Sequence, residues 1–130
     1  MHVRPIEESD YDAWLEMFNK YLIFYKSSLP DDVKKYTFER FLDPKVEMWS
    51  AVAVNDDGKA IGFANYLRQL NTWSKNDKIY LNDLFVDETN RLKGVGRALI
   101  EFVYADADKM GVPDVYWCTQ THNHRAQLLY

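Results

Sequence analysis

The fold and the chemistry of this chain are both decided by residues 84–99, LFVDETNRLKGVGRAL. The apolar beginning of this stretch is typical of a buried strand, and its end has the periodicity of a helix. Gly94 and Gly96 fall in the first turn of that helix, although glycine inside a helix costs about 1 kcal/mol relative to alanine. Without side chains, they would let an anion approach the free N–H groups of the helix start, where the dipole favours negative charge. The stretch therefore predicts a phosphate site, and the alternative is a helix start that packs tightly against the sheet.

Three cations, Arg91, Lys93 and Arg97, are predicted to surround the same helix start. Two other phosphate motifs fit less well. The dinucleotide fingerprint needs a third glycine, and a Walker loop needs Gly-Lys-Ser/Thr where this chain has Gly96 followed by Arg97. The junction also comes late in the chain and not in a first βαβ unit. A flavin- or NAD-binding module is therefore disfavoured.

The flanking sequence predicts one α+β domain over residues 1–130. Upstream of the junction, apolar periodicity predicts a strand at 2–6, a helix capped by Ser9, a second helix opened by Pro30, and strands at 49–54, 60–70 and 79–86. Downstream it predicts a helix at 92–110, a strand at 114–119 and a final helix from 122. This order places an antiparallel meander before one βαβ crossover, so strands 79–86 and 114–119 should be parallel neighbours. Gly62, inside a strand, indicates a bulge or a close backbone approach.

Composition excludes several classes of protein. Apolar residues make up 47% of the chain, which is enough for a core, and the net charge is −4. A nucleic-acid partner would need a concentrated basic face, so none is expected, whereas an amine acceptor suits an acidic protein. No apolar run approaches the roughly 18–20 residues of a membrane span, and no secretory signal is visible. We expect a cytoplasmic protein, with access to the nucleus.

The possible metal ligands and the single cysteine suggest no further site. His122 and His124 form an H-x-H pair without a third ligand nearby, so no metal site is predicted. Cys118 is the only cysteine, which excludes an intrachain disulfide. Because it stands beside apolar residues of a predicted strand, we expect it to be buried and inert.

Residues 79–100 resemble the acetyl-CoA signature of the GNAT acetyltransferases, [R/Q]-x-x-G-x-[G/A] after an apolar strand. The resemblance continues through 115–119 and 123–130, where the family often has an Asn near a helix start and a Tyr seven residues later. Strings at 41–44, 78–83, 115–118 and 123–130 are also similar to small fungal acetyltransferases that modify histones and polyamines, and to their D-amino-acid-acetylating relatives. The resemblance implies the GNAT fold, with a mixed, mostly antiparallel sheet and a βαβ acetyl-CoA-binding unit.

The resemblance also implies roles for individual residues. The backbone of one strand end would pair with the pantetheine arm of acetyl-CoA: Leu84, Phe85 and Val86. The following residues would hold the pyrophosphate, mainly through backbone N–H groups: Arg91, Leu92, Lys93, Gly94, Val95, Gly96 and Arg97. Asn123 would bond the cofactor arm, or only cap a helix. Tyr130 would protonate the departing thiolate, which a phenol can do, or would only pack in the core.

The general base is sought among the polar residues of the strand at 79–86. Family members with amine acceptors often have Glu where this chain has Asn82. We hypothesise that Asp83, directly or through a water held by Asn82, assists deprotonation. Neighbours on a regular strand face opposite sides, so Asp83 can serve only if the strand is bulged there. One or two aromatic residues of the first two helices could line the acceptor site while the others form core; the candidates are Trp14, Tyr21, Phe24, Tyr25 and Tyr36. Trp73 is a further candidate, because it stands in a polar loop where burial does not readily explain a tryptophan.

The function that follows is direct transfer of acetyl from acetyl-CoA to a primary amine in a ternary complex. The acceptor would be a small-molecule or peptide amine, such as a polyamine, an amino acid or a histone lysine. The alternative is a catalytically weak acyl-CoA-binding or sensor domain on the same fold, which Asn82 favours. The family continues beyond Tyr130 with one or two strands, so we expect this chain to lack the last strand or strands. We expect the complete protein to be a homodimer or larger.

Overall fold

A computed structural model describes residues 1–89 and 93–118 of the chain. Within these residues, five strands form one sheet in the order β1-β2-β3-β4-β5. Neighbouring strands from β1 to β4 are antiparallel, and β5 is parallel to β4. The elements are β1 (His2–Pro5), α1 (Tyr11–Phe24), α2 (Asp31–Leu42), β2 (Met48–Val54), β3 (Ala60–Gln69), β4 (Lys78–Val86), α3 (Val95–Lys109) and β5 (Val115–Tyr116). The prediction of an α+β fold is confirmed, and so is the prediction that the strands now labelled β4 and β5 are parallel neighbours.

The sheet is covered on both faces, because successive side chains of a strand point to opposite sides. One face packs against α1 and α2, where Trp14, Phe18 and Phe38 meet Val52 and Phe63 of the sheet. The other face packs against α3, and its core contains Ala51, Ala53, Ile61, Ala64, Leu99 and Val103. Burial on both sides explains why β2 and the first half of β3 are almost continuously apolar in sequence.

The start of α1 differs from the prediction of a serine cap. A 3-10 turn, Glu8–Asp10, precedes the helix, and its capping box joins Glu7 to Asp10, with the Glu7 N–H donating to Asp10 Oδ2 at 2.7 Å. Arg4 also donates to both oxygens of Asp10, at 2.7 and 2.9 Å. Ser9 therefore does not cap the helix, because the bidentate pair between Arg4 and Asp10 fixes the chain around a different residue.

Gly62 lies where β3 passes close to β4 and α3. The register pairs Ala53 with Gly62 but Val54 with Ala60, so Ile61 is an extra residue in β3. A Cβ at Gly62 would lie 2.8 Å from the Phe85 carbonyl oxygen and 3.2 Å from Leu99 Cδ1. Both predicted features, a bulge and a close approach, are therefore present.

Two element boundaries correct the sequence analysis. α3 begins at Val95 and not at 92, because Gly94 has φ +80° and cannot continue a right-handed helix; residues 90–92 lie outside the described part. β5 covers Val115–Tyr116, shorter than the predicted 114–119, and Thr119 is also outside the described part. The other described strands and helices end within one or two residues of their predicted limits. No helix of the described residues is long and apolar enough to span a membrane.

Candidate active site

The backbone of β4 is paired with β3 along its length, whereas on the other side the described residues pair only with its start; the rest of that side is called the open edge. Towards β3 the register runs from Gly62–Val86 to Gln69–Lys78. Towards β5, the described residues pair only Ile79 with Val115 and Tyr80 with Tyr116. From Leu81 onward, β4 therefore has no described strand on its β5 side. An extended molecule could add to this edge by main-chain hydrogen bonds.

The predicted pantetheine-binding residues lie on this open segment. Leu84 and Val86 pack against the core under α3, while Phe85 stacks on Phe63 at a ring-centroid distance of 5.6 Å on the other face. Their side chains thus pack into the two cores, and their main chain has no described strand on the β5 side. The two interpretations of these residues, core packing and a backbone contact to a cofactor, are compatible.

The amino end of α3 is the next element after β4 in the chain, beyond the connection at 87–94. Its first intrahelical bond runs from the Ala98 N–H to the Gly94 carbonyl at 2.9 Å, so the N–H groups before Ala98 have no partner within the helix. Val95 and Gly96 are buried against the sheet, and Lys93 and Arg97 are exposed. Arg97 Nε lies 3.7 Å from Glu101 Oε1. These residues form a helix start suited to an anion.

The reason for glycine at position 94 differs from the one predicted. Among the described residues, a Cβ there would meet nothing within 4 Å, but φ is +80°, which favours glycine. Gly94 is therefore required first by backbone conformation, and the open space beside it is compatible with a close anion. Arg91 and Leu92, predicted for the same site, lie outside the described residues.

A bulge in β4 brings Asp83 to the face covered by α1. The register pairs Asn65 with Asp83 but Tyr66 with Leu81, which leaves Asn82 as the extra residue. Asp83 therefore shares a face with Asn65, as the base hypothesis required. Asp83 Oδ2 accepts hydrogen bonds from Asn65 Nδ2 and from Asn82 Nδ2, both at 2.9 Å. The two predicted residues are in direct contact at the point where β4 leaves β5.

Asn65 was not predicted. It is 4% exposed, and its Oδ1 accepts a hydrogen bond of 3.5 Å from the indole Nε1 of Trp14. A polar side chain among the apolar residues of β3 is the sequence signal that could have drawn attention to it. Its partners could not have been identified, since one stands on α1 and the other on β4.

Two tyrosines and a cysteine lie where β4 and β5 still pair. The rings of Tyr80 and Tyr116 are 4.9 Å apart, and the Tyr116 hydroxyl donates to Gln69. Burial raises the pKa of Tyr80, and its neighbours Cys118, Tyr116 and Asp83 raise it further. Cys118 is exposed, so the expectation of a buried cysteine is wrong. The reason is that β5 ends at Tyr116, before the cysteine.

Asp87, also missed by the sequence analysis, fixes the exit from β4. Its carboxylate accepts from the N–H and hydroxyl of Thr89, at 3.1 and 2.9 Å, and from Lys20 Nζ at 3.5 Å. Burial would raise the pKa of this carboxyl, but the bonds from Thr89 and the Lys20 charge outweigh it, and the pKa is lowered. The residue holds the start of the connection to α3 and ties it to α1.

The aromatic residues proposed for the acceptor site are divided between core and surface. Trp14 is fully buried, and it reaches Asp83 only through Asn65. Tyr21 and Tyr25 are half-buried and contact each other, with ring centroids 4.8 Å apart. The remaining three are exposed: Phe24, Tyr36 and Trp73, the last at 96%.

Several predicted residues lie outside the described part of the chain: Asn123, Tyr130, His122 and His124. Their roles stay predictions. Among residues 1–89 and 93–118, no group of three or more His, Cys, Asp or Glu side chains is placed to hold a metal ion.

An open strand edge, a carboxylate beside it and a helix start near its end are suited to an extended ligand that bears phosphate groups. Comparison with known proteins identifies the family. The model of the acetyltransferase (GNAT) family matches residues 11–130. The D-amino-acid N-acetyltransferase HPA3 of Saccharomyces cerevisiae is 50% identical over 129 residues, which cover 98% of this chain and 80% of that protein. YhfO of Bacillus subtilis, an uncharacterized N-acetyltransferase, is 30% identical over 132 residues, covering 100% of this chain and 86% of YhfO.

Solved structures share the fold. A probable acetyltransferase has a TM-score of 0.86 at 23% identity, with 100% of this chain and 86% of that one covered. The aminoglycoside N-acetyltransferase AAC(6')-Iy, in complex with CoA, has a TM-score of 0.83 at 23% identity, covering 98% of this chain and 82% of that one. The chain therefore belongs to the GNAT acetyltransferase family. It is an N-acetyltransferase, and acetyl-CoA is its co-substrate.

Proposed function

We propose that this protein transfers the acetyl group of acetyl-CoA to the amine of a free amino acid, with D-amino acids as the first candidates. The acceptor class is supported by the 50% identity to the yeast D-amino-acid N-acetyltransferase over 98% of this chain. Histone lysines and polyamines are the alternatives. The net charge of −4 suits their cationic character but does not distinguish them from an amino-acid ammonium group.

The observation that carries the proposal is the carboxylate of Asp83 beside the open edge of β4. An amine acceptor arrives as an ammonium ion and must lose a proton before its lone pair can attack the thioester carbonyl. The C–N bond then forms, the C–S bond breaks, and the departing thiolate takes up a proton. Asp83 would accept the first proton, directly or through a water held by Asn82. The 2.9 Å bond from Asn82 Nδ2 keeps these two side chains in contact, as the route through a water needs.

The second proton would come from Tyr130, in the role implied by the family resemblance. A phenol is suited to this step because the ordinary pKa values of phenol and thiol, about 10 and 8.5, are close. We expect Tyr130→Phe to lower kcat with little change in the KM for acetyl-CoA, since the hydroxyl group acts on the leaving group.

The co-substrate would be bound by main chain along β4 and at the start of α3. Leu84, Phe85 and Val86 would offer the backbone of the open edge to the pantetheine arm. Lys93, Gly94 and the N–H groups at the start of α3 would hold the pyrophosphate, together with the exposed Arg97. These contacts would align the thioester with the acceptor, so most of the acceleration would come from proximity and orientation.

Thiol release from acetyl-CoA would test the proposal. The acceptor panel would contain matched D- and L-amino acids, spermine and a histone-tail peptide, and mass spectrometry would identify the acetylated product. We expect release that depends on a D-amino acid and exceeds the rate with its L-enantiomer. Faster release with spermine or the peptide would reassign the acceptor. Tight acetyl-CoA binding without release would favour the weak acyl-CoA-binding domain, for which Asn82 in place of an acid is the supporting feature.

A further inference from the structure

We propose that Asn65, held by Trp14, is the positioning residue that orients Asp83 for proton transfer. The inference rests on the proposed function, in which Asp83 accepts the proton of the acceptor. Three side chains from α1, β3 and β4 form one hydrogen-bonded series: Trp14 Nε1 to Asn65 Oδ1 at 3.5 Å, and Asn65 Nδ2 to Asp83 Oδ2 at 2.9 Å.

The chemistry of these groups fixes the direction of the series. An indole N–H can only donate a hydrogen bond, so the Asn65 atom that faces Trp14 must be its carbonyl oxygen. The amide NH₂ of Asn65 is then turned toward Asp83, whose oxygen accepts. Trp14 is fully buried and Asn65 is 4% exposed, so water does not compete with the indole for the Asn65 oxygen. Trp14 thus selects the orientation of the Asn65 amide that presents a donor to Asp83.

The series also selects one oxygen of the carboxylate. Asn65 and Asn82 both donate to Oδ2 of Asp83, and neither of these bonds goes to Oδ1. Because Oδ2 already accepts two hydrogen bonds, Oδ1 is the oxygen that would accept the proton. Asn65 would hold the carboxylate so that Oδ1 faces the acceptor amine or the bridging water.

The surroundings of Asp83 allow a pH test. Its titratable neighbour on β4 is Tyr80, and Tyr116 of β5 and Cys118 lie against Tyr80. The other two side chains of the series, Trp14 of α1 and Asn65 of β3, are uncharged. Comparison of the pH–rate profiles of the wild type and Asp83→Asn separates the contribution of this carboxylate from that of these neighbours.

The test compares pH profiles of kcat/KM in four variants and the wild type. Asn65→Asp keeps an oxygen for Trp14 but turns a second carboxylate oxygen toward Asp83, and two adjacent carboxylates resist being ionised together. We expect the acidic limb to move upward by about one pH unit or more, with the rate recovered at high pH. Trp14→Phe, which removes only the N–H and part of the ring, should lower kcat several-fold with the KM for acetyl-CoA unchanged.

Ser50→Ala is the matched control. Ser50 is the cross-strand partner of Asn65 on β2, is buried, and has no hydrogen-bond partner for its hydroxyl among the described residues. Its profile should match the wild type. Suppose that Asp83→Asn changes the acidic limb, as the proposed base requires. The positioning role of Asn65 would then be overturned if the Asn65→Asp profile matched the wild type, or if it were lowered equally at every pH. An acidic limb unchanged in Asp83→Asn would overturn the proposed base and, with it, this inference.

Discussion

The backbone conformation restricts which residue can stand at some positions of this protein, and position 94 is an example. At φ +80°, an alanine would be strained by about 1 kcal/mol, and relief of that strain would move the start of α3. We expect Gly94→Ala to lose about 1 kcal/mol of unfolding free energy and to raise the KM for acetyl-CoA several-fold. Gly58, with φ +81° and open space around it in the β2–β3 turn, is the matched control.

Gly58→Ala should cost similar stability in a denaturant titration and leave the KM for acetyl-CoA unchanged. If both variants raised this KM alike, the effect would be general strain, and the start of α3 would lose its role as the pyrophosphate site.

Asp10 gives a second prediction at the residue scale. The hydrogen bonds from Arg4, together with the backbone bond from Glu7, lower the pKa of Asp10 below its ordinary value of 3.8 despite burial, which opposes the shift. A carboxyl with a lowered folded-state pKa stabilises the fold above the unfolded value and loses that contribution as pH falls through the folded value. The melting temperature of the wild type should therefore fall below about pH 4 more steeply than that of Asp10→Asn.

Differential scanning calorimetry from pH 6 to pH 2, with Asp12→Asn as an exposed control in the first turn of α1, would measure this dependence. Equal slopes for the wild type and Asp10→Asn would show that the pair between Arg4 and Asp10 does not stabilise the fold.

At the scale of elements, the contact of β3 with β4 and α3 depends on Gly62. A Cβ at 2.8 Å from the Phe85 carbonyl oxygen forces the backbone of one strand to move, because that oxygen cannot rotate away. We expect Gly62→Ala to destabilise the fold by roughly 1–3 kcal/mol, the usual range for overpacking. Because Phe85 lies on the open edge of β4, acetyl-CoA binding should weaken as well. Chemical denaturation and calorimetric titration would check both effects, and a change in stability below about 0.5 kcal/mol would contradict the close packing.

The elements themselves were predictable from sequence because the apolar periodicity of each one is strong and the breaks carry Gly, Pro or Asn-Asp. The start of α3 was misplaced because a helix pattern does not reveal that Gly94 adopts a left-handed conformation. The bulge at Asn82 could be stated only as a condition for Asp83, since register depends on the neighbouring strand. Asn65 and Trp14 were missed as a pair because residues on α1 and β3 meet only after the sheet is covered.

For the whole molecule, one prediction concerns assembly. From the resemblance to the small fungal acetyltransferases, we propose that the protein is a homodimer or larger. Light scattering coupled to size-exclusion chromatography should then give at least twice the mass of one chain across a range of concentrations. A mass of one chain at every concentration would contradict it. A cytoplasmic location with access to the nucleus likewise stays a prediction.

The fold as a whole brings the open edge of β4, the start of α3 and Asp83 together, and the central claim is that this carboxylate takes the proton of the amine. The most direct measurement is kcat/KM for the amine from pH 5 to pH 10, in the wild type and in Asp83→Asn, with saturating acetyl-CoA. We expect the rate near neutral pH to fall about 10²–10⁴-fold in the variant, with the KM for acetyl-CoA unchanged. A variant with the rate and the pH profile of the wild type would contradict it.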